Sequence, residues 1–331
     1  MSEHEDLLHV DNLKKYFPAG GDWFAQIFDR RKIKAVDGVS FSIPRGTTMG
    51  LVGESGSGKS TIGKVIASLM SPTEGQVRFN RTDVSKLHGR RLKAMRRHIQ
   101  MIFQDPSSSL NKRKTAGQIV SDPIEVHKLA EKGKLESKLV ESLNKAGLPR
   151  RFVNRFPHEM SGGQRQRVGI ARALAVEPEF IICDEPVTAL DVSIQAQILN
   201  LLMTLQKDMG LTYLFIAHDL SVVRHVSDRV AVMYLGKIME IARSETLFSN
   251  PRHPYTRALL AAIPVPDPRA PKRFVLKGEV PSPINPPSGC RFHPRCPEYI
   301  GDICRTQEPE DSILADGTMV HCHHYRGQTG I

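Results

Sequence analysis

No stretch of this sequence approaches the roughly 18 uninterrupted apolar residues that a membrane-crossing helix needs. Its opening residues, Met1 to Asp6, carry Glu3, Glu5 and Asp6 where a secretory leader would place a basic segment followed by an apolar one. The expectation is therefore a cytoplasmic chain. Cysteine is scarce and unevenly placed: there are five, and Cys183 alone precedes residue 290, which argues against a disulfide framework. Aromatics make up only 6%, and none interrupts the densest basic run, Arg90, Arg91, Lys93, Arg96 and Arg97. A helix could show these cations on one side. Without rings to stack bases, a solvated cationic helix is a simpler reading than a nucleic-acid surface, and attraction to anionic headgroups is a second use for the charge. Acid is also in deficit, with 46 Lys and Arg against 35 Asp and Glu, a net charge of +11. What is present, 40% hydrophobic and 24% charged residues, suits a globular core. At 331 residues the chain exceeds the usual single domain and suggests one large core with an appended module.

Alternation over Leu7 to Leu13 and again over Val36 to Ile43 predicts two strands around an insertion. Within the insertion Trp23, Phe24, Ile27 and Phe28 recur at helical spacing, which suits a short amphipathic turn packed on its own domain or docked on a neighbour. Thr48 to Val52 is an apolar strand that runs into Gly53-Glu54-Ser55-Gly56-Ser57-Gly58-Lys59-Ser60-Thr61, and Ser60 to Met70 carries helical periodicity. This strand, loop and helix form a G-x-x-x-x-G-K-[ST] phosphate loop. Its backbone N–H groups converge on phosphate oxygens at a helix N-terminus, Lys59 adds a charge, and the Ser60 hydroxyl can ligate Mg2+. Two further apolar strands, Phe180 to Glu185 and Tyr213 to Ala217, end in Asp184-Glu185 and before His218-Asp219. Ligands of open α/β folds gather at such strand ends. Helix-like stretches at Gln118 to Leu129 and Leu135 to Ala146 suit a small helical subdomain, about residues 105–165, too short for a long coiled coil.

Ser161-Gly162-Gly163-Gln164 again offers N–H groups to a phosphate. Together with the phosphate loop it resembles the ATP-binding-cassette ATPases, in which this motif of one subunit closes over nucleotide held by the other. The resemblance implies a P-loop α/β ATPase domain that uses ATP and Mg2+. It implies Mg2+ at Ser60, Asp184 and Gln104, Glu185 as general base, His218 as the switch histidine and Gln104 as the lid-loop glutamine. It further implies nucleotide contacts from Gly53, Ser55, Gly56, Gly58, Lys59 and Thr61, adenine stacking on Tyr16, and communication across the dimer through Asp191. Taken singly, an Asp-Glu pair caps helices and a lone histidine packs or sits at a surface. Their order from Tyr16 to His218 is what points to a site.

Past Asn250 the composition changes, with a Pro-rich linker from Pro264 to Pro271. The run Gly278 to Pro283 and Pro286 to Pro297 resembles the C-terminal extension of oligopeptide and dipeptide importer ATPases, closest to their second, F-type subunit. That implies residues 1–250 as the ATPase domain and 251–331 as the extension. It also implies as partners a homologous D-type ATPase subunit, two transmembrane permease subunits and an extracytoplasmic substrate-binding protein, with no nucleic acid. The chain would lie peripherally on the cytoplasmic side of the inner membrane. Relatives carrying nickel, glutathione, opines or oligosaccharides keep the substrate open, and a nucleic-acid-handling cassette is the rival reading. Cys290, Cys296, Cys304 and Cys322 cluster in this tail. Four thiolates suit a 4Fe–4S cluster or Zn2+, and the absence of a C-x-x-C knuckle favours the cluster, with no metal as the third reading. His293, His321, His323 and His324 are read as surface residues in preference to substitute ligands. Cys183, inside its strand, reads as a small buried hydrophobe.

Overall fold

The computed structural model describes residues 5–19, 31–263 and 278–328. The Trp23 insertion and the whole Pro264 to Pro271 linker lie outside the described residues. The elements begin with β1 (Asp6–Pro18), β2 (Lys32–Pro44), β3 (Thr48–Val52), α1 (Lys59–Ile66), β4 (Glu74–Phe79) and β5 (Thr82–Asp83). There follow α2 (Gly89–His98), β6 (Ile99–Ile102), α3 (Pro106–Ser109), α4 (Ala116–Val126), α5 (Leu135–Lys145), α6 (Gly162–Leu174), β7 (Phe180–Asp184) and α7 (Val192–Met209). Next come β8 (Thr212–Ile216), α8 (Leu220–Val226), β9 (Arg229–Tyr234), β10 (Lys237–Arg243), α9 (Ser244–Ser249) and α10 (Pro254–Ala261). The tail contributes α11 (Asp302–Thr306), β11 (Asp311–Ile313) and β12 (Met319–His321).

Two sheets organise the chain. One is antiparallel, in the order β2-β1-β4-β5. The other runs β11-β12-β10-β9-β3-β8-β7-β6, with β9, β3, β8, β7 and β6 parallel. Both faces of the parallel strands are covered, so their residues are mostly apolar and side-chain alternation sorts these between two cores. Phe180 and Ile182 of β7 point with Leu214 and Ile216 of β8 and Met49 and Leu51 of β3 towards α1 and the antiparallel sheet. Ile181 and Cys183 point with Tyr213, Phe215, Val230 and Val232 into the core of the helical side. Cys183 is completely buried, as its sequence context suggests, and burial pushes its thiol pKa well up.

The helical region lies between β6 and β7. A capping box opens α4, where Thr115 Oγ1 accepts from Gln118 N at 3.3 Å and Gln118 Oε1 from Thr115 N at 2.9 Å. The helix α1 stops at Ile66, short of the Met70 suggested by periodicity. Ser68 takes a left-handed backbone (φ 53°) there and its N–H bonds to Val65 O at 2.9 Å, which closes the last turn. The cationic run does form a helix, α2, with no buried residue; Arg96 donates to Ser68 O at 2.8 Å and Arg97 to Val176 O at 3.1 Å. Among the described residues no helix is long and apolar enough to cross a membrane.

The tail corrects one expectation. It does not form a separate cysteine-rich module: β12 pairs with β10, Glu240 opposite Val320, and β11 pairs with β12, so the tail covers the edge of the main sheet. Its Phe292 joins Tyr234 (5.4 Å, edge-on) and Tyr255 (5.2 Å) in the main core. A Pro-rich change of composition marks a change of local chain behaviour, and does not report which distant edge the chain returns to.

His253 caps α10, its Nδ1 accepting from Tyr255 N at 3.0 Å. Burial pushes its pKa down to about 3, and the neighbouring His321 and Arg257 act in the same direction. The folded chain keeps this ring neutral while the unfolded chain protonates it below its ordinary value near 6.5. Between these two values the unfolded state holds more protons, so stability is fully present above about 6.5 and is lost as pH falls towards about 3, by up to about 1.4 kcal/mol per pH unit. Chemical denaturation across this range should show a shallower acid loss for His253→Asn, which keeps a capping acceptor and cannot protonate. An unchanged pH profile would remove His253 from the acid response.

Candidate active site

The strand β3, buried at every residue, ends at Val52 and gives way to the glycine loop that enters α1. Gly58 occupies the N-cap with φ 107°, and a Cβ there would stand 2.0 Å from Ala35 O, so only glycine fits. Lys59 folds back over the loop: its Nζ donates to Gly53 O (2.8 Å), Glu54 O (2.9 Å) and Ser57 Oγ (3.3 Å). Burial pushes its pKa below the ordinary lysine value, opposed by the nearby carboxylates of Glu185, Asp184 and Glu54. The loop is thus a concave set of N–H groups at a helix N-terminus with one cation inside it, an arrangement that favours a phosphate chain.

The two acids at the end of β7 do different things. Asp184 is buried and accepts from Ser60 Oγ at 2.8 Å; burial raises its pKa, and the Ser60 bond partly opposes this. Glu185 turns out of the sheet with a left-handed backbone (φ 47°), a conformation costing a non-glycine residue on the order of 1 kcal/mol, and its N–H is held by Ile216 O at 2.9 Å. Three groups converge on its Oε2: Gln104 Nε2 donates at 2.8 Å, Thr188 Oγ1 at 3.2 Å, and His218 Nδ1 lies at 3.3 Å. Gln104 follows β6 and His218 follows β8, so strand ends three abreast deliver the cluster. A cavity of about 550 Å³ opens over it, lined by Ser55, Gly56, Gly58, Lys59, Ser60 and Thr61 of the loop and by Gln104, Glu185, Thr188 and His218 opposite.

Other expected residues lie elsewhere. Ser161, Gly162, Gly163 and Gln164 open α6 through a capping box and do not line the cavity. Gly163 packs α6 against α7, where a Cβ would stand 2.5 Å from Ile194 Cγ2. Asp191 caps α7, its Oδ1 accepting from Ile194 N at 3.0 Å, which holds its pKa below the usual carboxylate range. Tyr16 is also outside the cavity lining; its hydroxyl donates to Asp37, which Arg291 pairs from the other side. Thr188 and Ala35 line the cavity without having stood out in the sequence, since neither carries a motif of its own.

The tail cysteines do not support the expected metal. Cys290, Cys304 and Cys322 are buried and Cys296 is partly so, and all are free thiols. Burial pushes Cys290 up to about 12 and Cys322 up to about 11, with the neighbouring sulfurs adding to the shift. Among the described residues no group of three or more His, Cys, Asp or Glu is placed to hold a metal ion. Neither the 4Fe–4S cluster nor Zn2+ therefore finds support in the side-chain arrangement of the described residues.

The phosphate loop and the carboxylate of Glu185 with Gln104, Thr188 and His218 face one another across a single cavity, with the Ser60–Asp184 bond at its edge. Fold and site together define a P-loop ATPase of the cassette type. Residues 36–188 match the ABC transporter family and residues 239–304 match the family described as the C-terminal region of oligopeptide/dipeptide transporters. The chain is 53% identical to the putative oligopeptide transport ATP-binding protein YkfD of Bacillus subtilis, over 97% of its own length and 96% of that protein's. It is 52% identical to the oligopeptide transport ATP-binding protein AppF of the same organism, over 98% and 99%. Among solved structures, the ATP-binding cassette MJ0796 in a dimeric post-hydrolysis state with ADP and Pi superposes with a TM-score of 0.63 at 32% identity, over 72% of this chain and 98% of that one. The cbiO1 subunit of Clostridium perfringens superposes at 0.64 and 26% identity, over 74% and 91%. The chain belongs to the ABC transporter ATP-binding proteins, in their oligopeptide/dipeptide branch.

Proposed function

We propose that this chain is the ATP-hydrolysing subunit that powers import of oligopeptides or dipeptides across the inner membrane. The observation that carries the peptide reading is the match of residues 239–304 to the oligopeptide/dipeptide transporter C-terminal region, together with relatives named for oligopeptide transport over almost the whole chain. The chain would sit peripherally on the cytoplasmic face, beside a D-type ATPase subunit, two permease subunits and an extracytoplasmic binding protein. Residues 1–250 would be the ATPase portion, with the helical subdomain at about 105–165, and 251–331 the extension.

In the cycle, the amides from Gly53 to Thr61 bind the phosphates and Lys59 turns its ammonium from the loop carbonyls to phosphate oxygens. The Ser60 hydroxyl and the Asp184 carboxylate, with Gln104 nearby, suit Mg2+, which binds through one or two carboxylates plus phosphate and water. When bound, Mg2+ neutralises charge on the phosphates. Glu185 accepts the proton of the attacking water, and Gln104, Thr188 and His218 aim its Oε2. His218 senses the terminal phosphate, Tyr16 faces adenine, and Ser161 to Gln164 and Asp191 act across a dimer on the partner's nucleotide. That placement accounts for their position outside this chain's own cavity. Reconstituted with its permease and binding protein, the chain should drive ATP-dependent uptake of labelled di- to pentapeptides; uptake of nickel or an oligosaccharide with peptides inert would overturn the peptide assignment.

A further inference from the structure

The phosphate loop is tied to the C-terminal extension at one residue, Glu54, by three separate bonds. Its carboxylate is gripped by both arms of Arg295, Nη1 to Oε2 at 2.8 Å and Nη2 to Oε1 at 3.2 Å. Its N–H donates to the hydroxyl of the fully buried Tyr255 at 3.1 Å, and its carbonyl accepts from Lys59. The Arg295 side chain is only 7% exposed, its guanidinium resting 5.9 Å from the centre of the Tyr234 ring. Four residues earlier, Arg291 donates to Leu235 O and to the Asp37 carboxylate. Gly236, next to Leu235, donates to Ser57 O at 2.9 Å and accepts from Asp37 N at 2.8 Å. The segment between Cys290 and Cys296 therefore braces the loop at Glu54 directly and at Ser57 through Gly236.

We infer that Arg295 is a positioning residue for nucleotide binding: with Tyr255 it fixes the Glu54 peptide and neutralises a carboxylate that would otherwise stand unpaired beside bound phosphates. The inference rests on the reading of the cavity as the ATP site. A loop that binds phosphate through backbone N–H groups depends on those peptides keeping one orientation, and Glu54 is held at its N–H, its carbonyl and its side chain at once. Bidentate pairing is a property of the guanidinium fork, which a lysine ammonium cannot reproduce. Removal of Arg295 leaves a partly buried anion next to the phosphates, and removal of that anion as well should relieve most of the damage.

The test is titration of the full-length chain with a fluorescent ATP analogue in Mg2+, alongside steady-state ATPase kinetics and thermal melts. Arg295→Ala should weaken nucleotide binding by on the order of tenfold, the range seen when a directly contacting pair is uncoupled, with the loss in KM and kcat within about twofold. Arg295→Lys should fall between. In the Arg295→Ala background, Glu54→Gln should recover most of the lost affinity, a rescue that a purely structural role would not give. If Arg295→Ala does not fold, the Lys variant and its Glu54→Gln double carry the same comparison. Wild-type affinity in the Arg295 variants, or failure of Glu54→Gln to rescue, would overturn the inference. A wild-type chain that binds no ATP would overturn the ATP-site reading itself and the inference with it.

Discussion

Glu185→Gln is expected to bind ATP within about threefold of the wild-type affinity and to lose hydrolysis by on the order of a thousandfold, the middle of the range for removing a general base. The argument is geometric. The same three groups that hold Glu185 Oε2, from Gln104, Thr188 and His218, can hold the carbonyl oxygen of a glutamine placed there, so the strand ends and the cavity keep their shape. What disappears is the acceptor for the water's proton. The phosphate cradle on the opposite wall, from Ser55 to Thr61, touches none of this. ATP should therefore bind, hold two cassettes together and remain unspent, so that the variant accumulates as a nucleotide-loaded dimer by size-exclusion chromatography. Single-turnover hydrolysis at a rate near that of the wild type would remove Glu185 from the role of base.

The parts of this site that were legible in the sequence are those in which chemistry and local structure coincide. The loop from Gly53 to Thr61 is read directly because its glycines, its lysine and its hydroxyl are consecutive and lie between a strand and a helix. Asp184 and His218 were found because an apolar run that ends in a polar group marks the carboxyl end of a buried parallel strand, and register then sets those ends side by side: Asp184 is paired with Ile216, two residues before His218. Thr188 escaped because a threonine in a turn carries no such mark. The grip of Arg295 on Glu54 escaped for another reason, being a contact across 241 residues whose two members sit in segments of unrelated composition. The tail's family resemblance is legible in its sequence, but its place in the sheet is not, on the same grounds. Proline and cysteine suggested a small module with its own metal, whereas hydrogen bonding along the open edge of β10 recruits β12 and β11 into the main sheet, and Phe292 completes an aromatic core with Tyr234 and Tyr255. Edge pairing is decided by which strand lacks a neighbour, a property of the assembled sheet and not of either segment.

The other large effect should come from a single methyl group. In Gly58→Ala the new Cβ would lie 2.0 Å from Ala35 O and 2.7 Å from Met233 Cε, at a backbone φ of 107° that L-residues rarely adopt. The methionine can move, but Ala35 is held in β2 between Lys34 and Val36, which pair with Tyr16 and Lys15 of β1, so the loop is the part that must yield. Backbone strain of this kind costs on the order of 1–3 kcal/mol before the steric conflict is added. Relief requires Gly58 to leave its conformation at the N-cap of α1, which rotates the peptide before Lys59 and carries the ammonium away from Gly53 O and Glu54 O, 2.8 and 2.9 Å away in the native loop. Folding survives in this account, because the conflict touches one core residue, Met233, and leaves the rest of both cores packed, so the loss falls on function. ATP affinity should drop by more than about a hundredfold while the melting temperature falls by only about 2–5 °C, on the scale of about 1–2 °C per kcal/mol for a chain of 331 residues. Near-native nucleotide binding in this variant would mean that the loop adapts without its N-cap glycine, and that the phosphate cradle is set elsewhere.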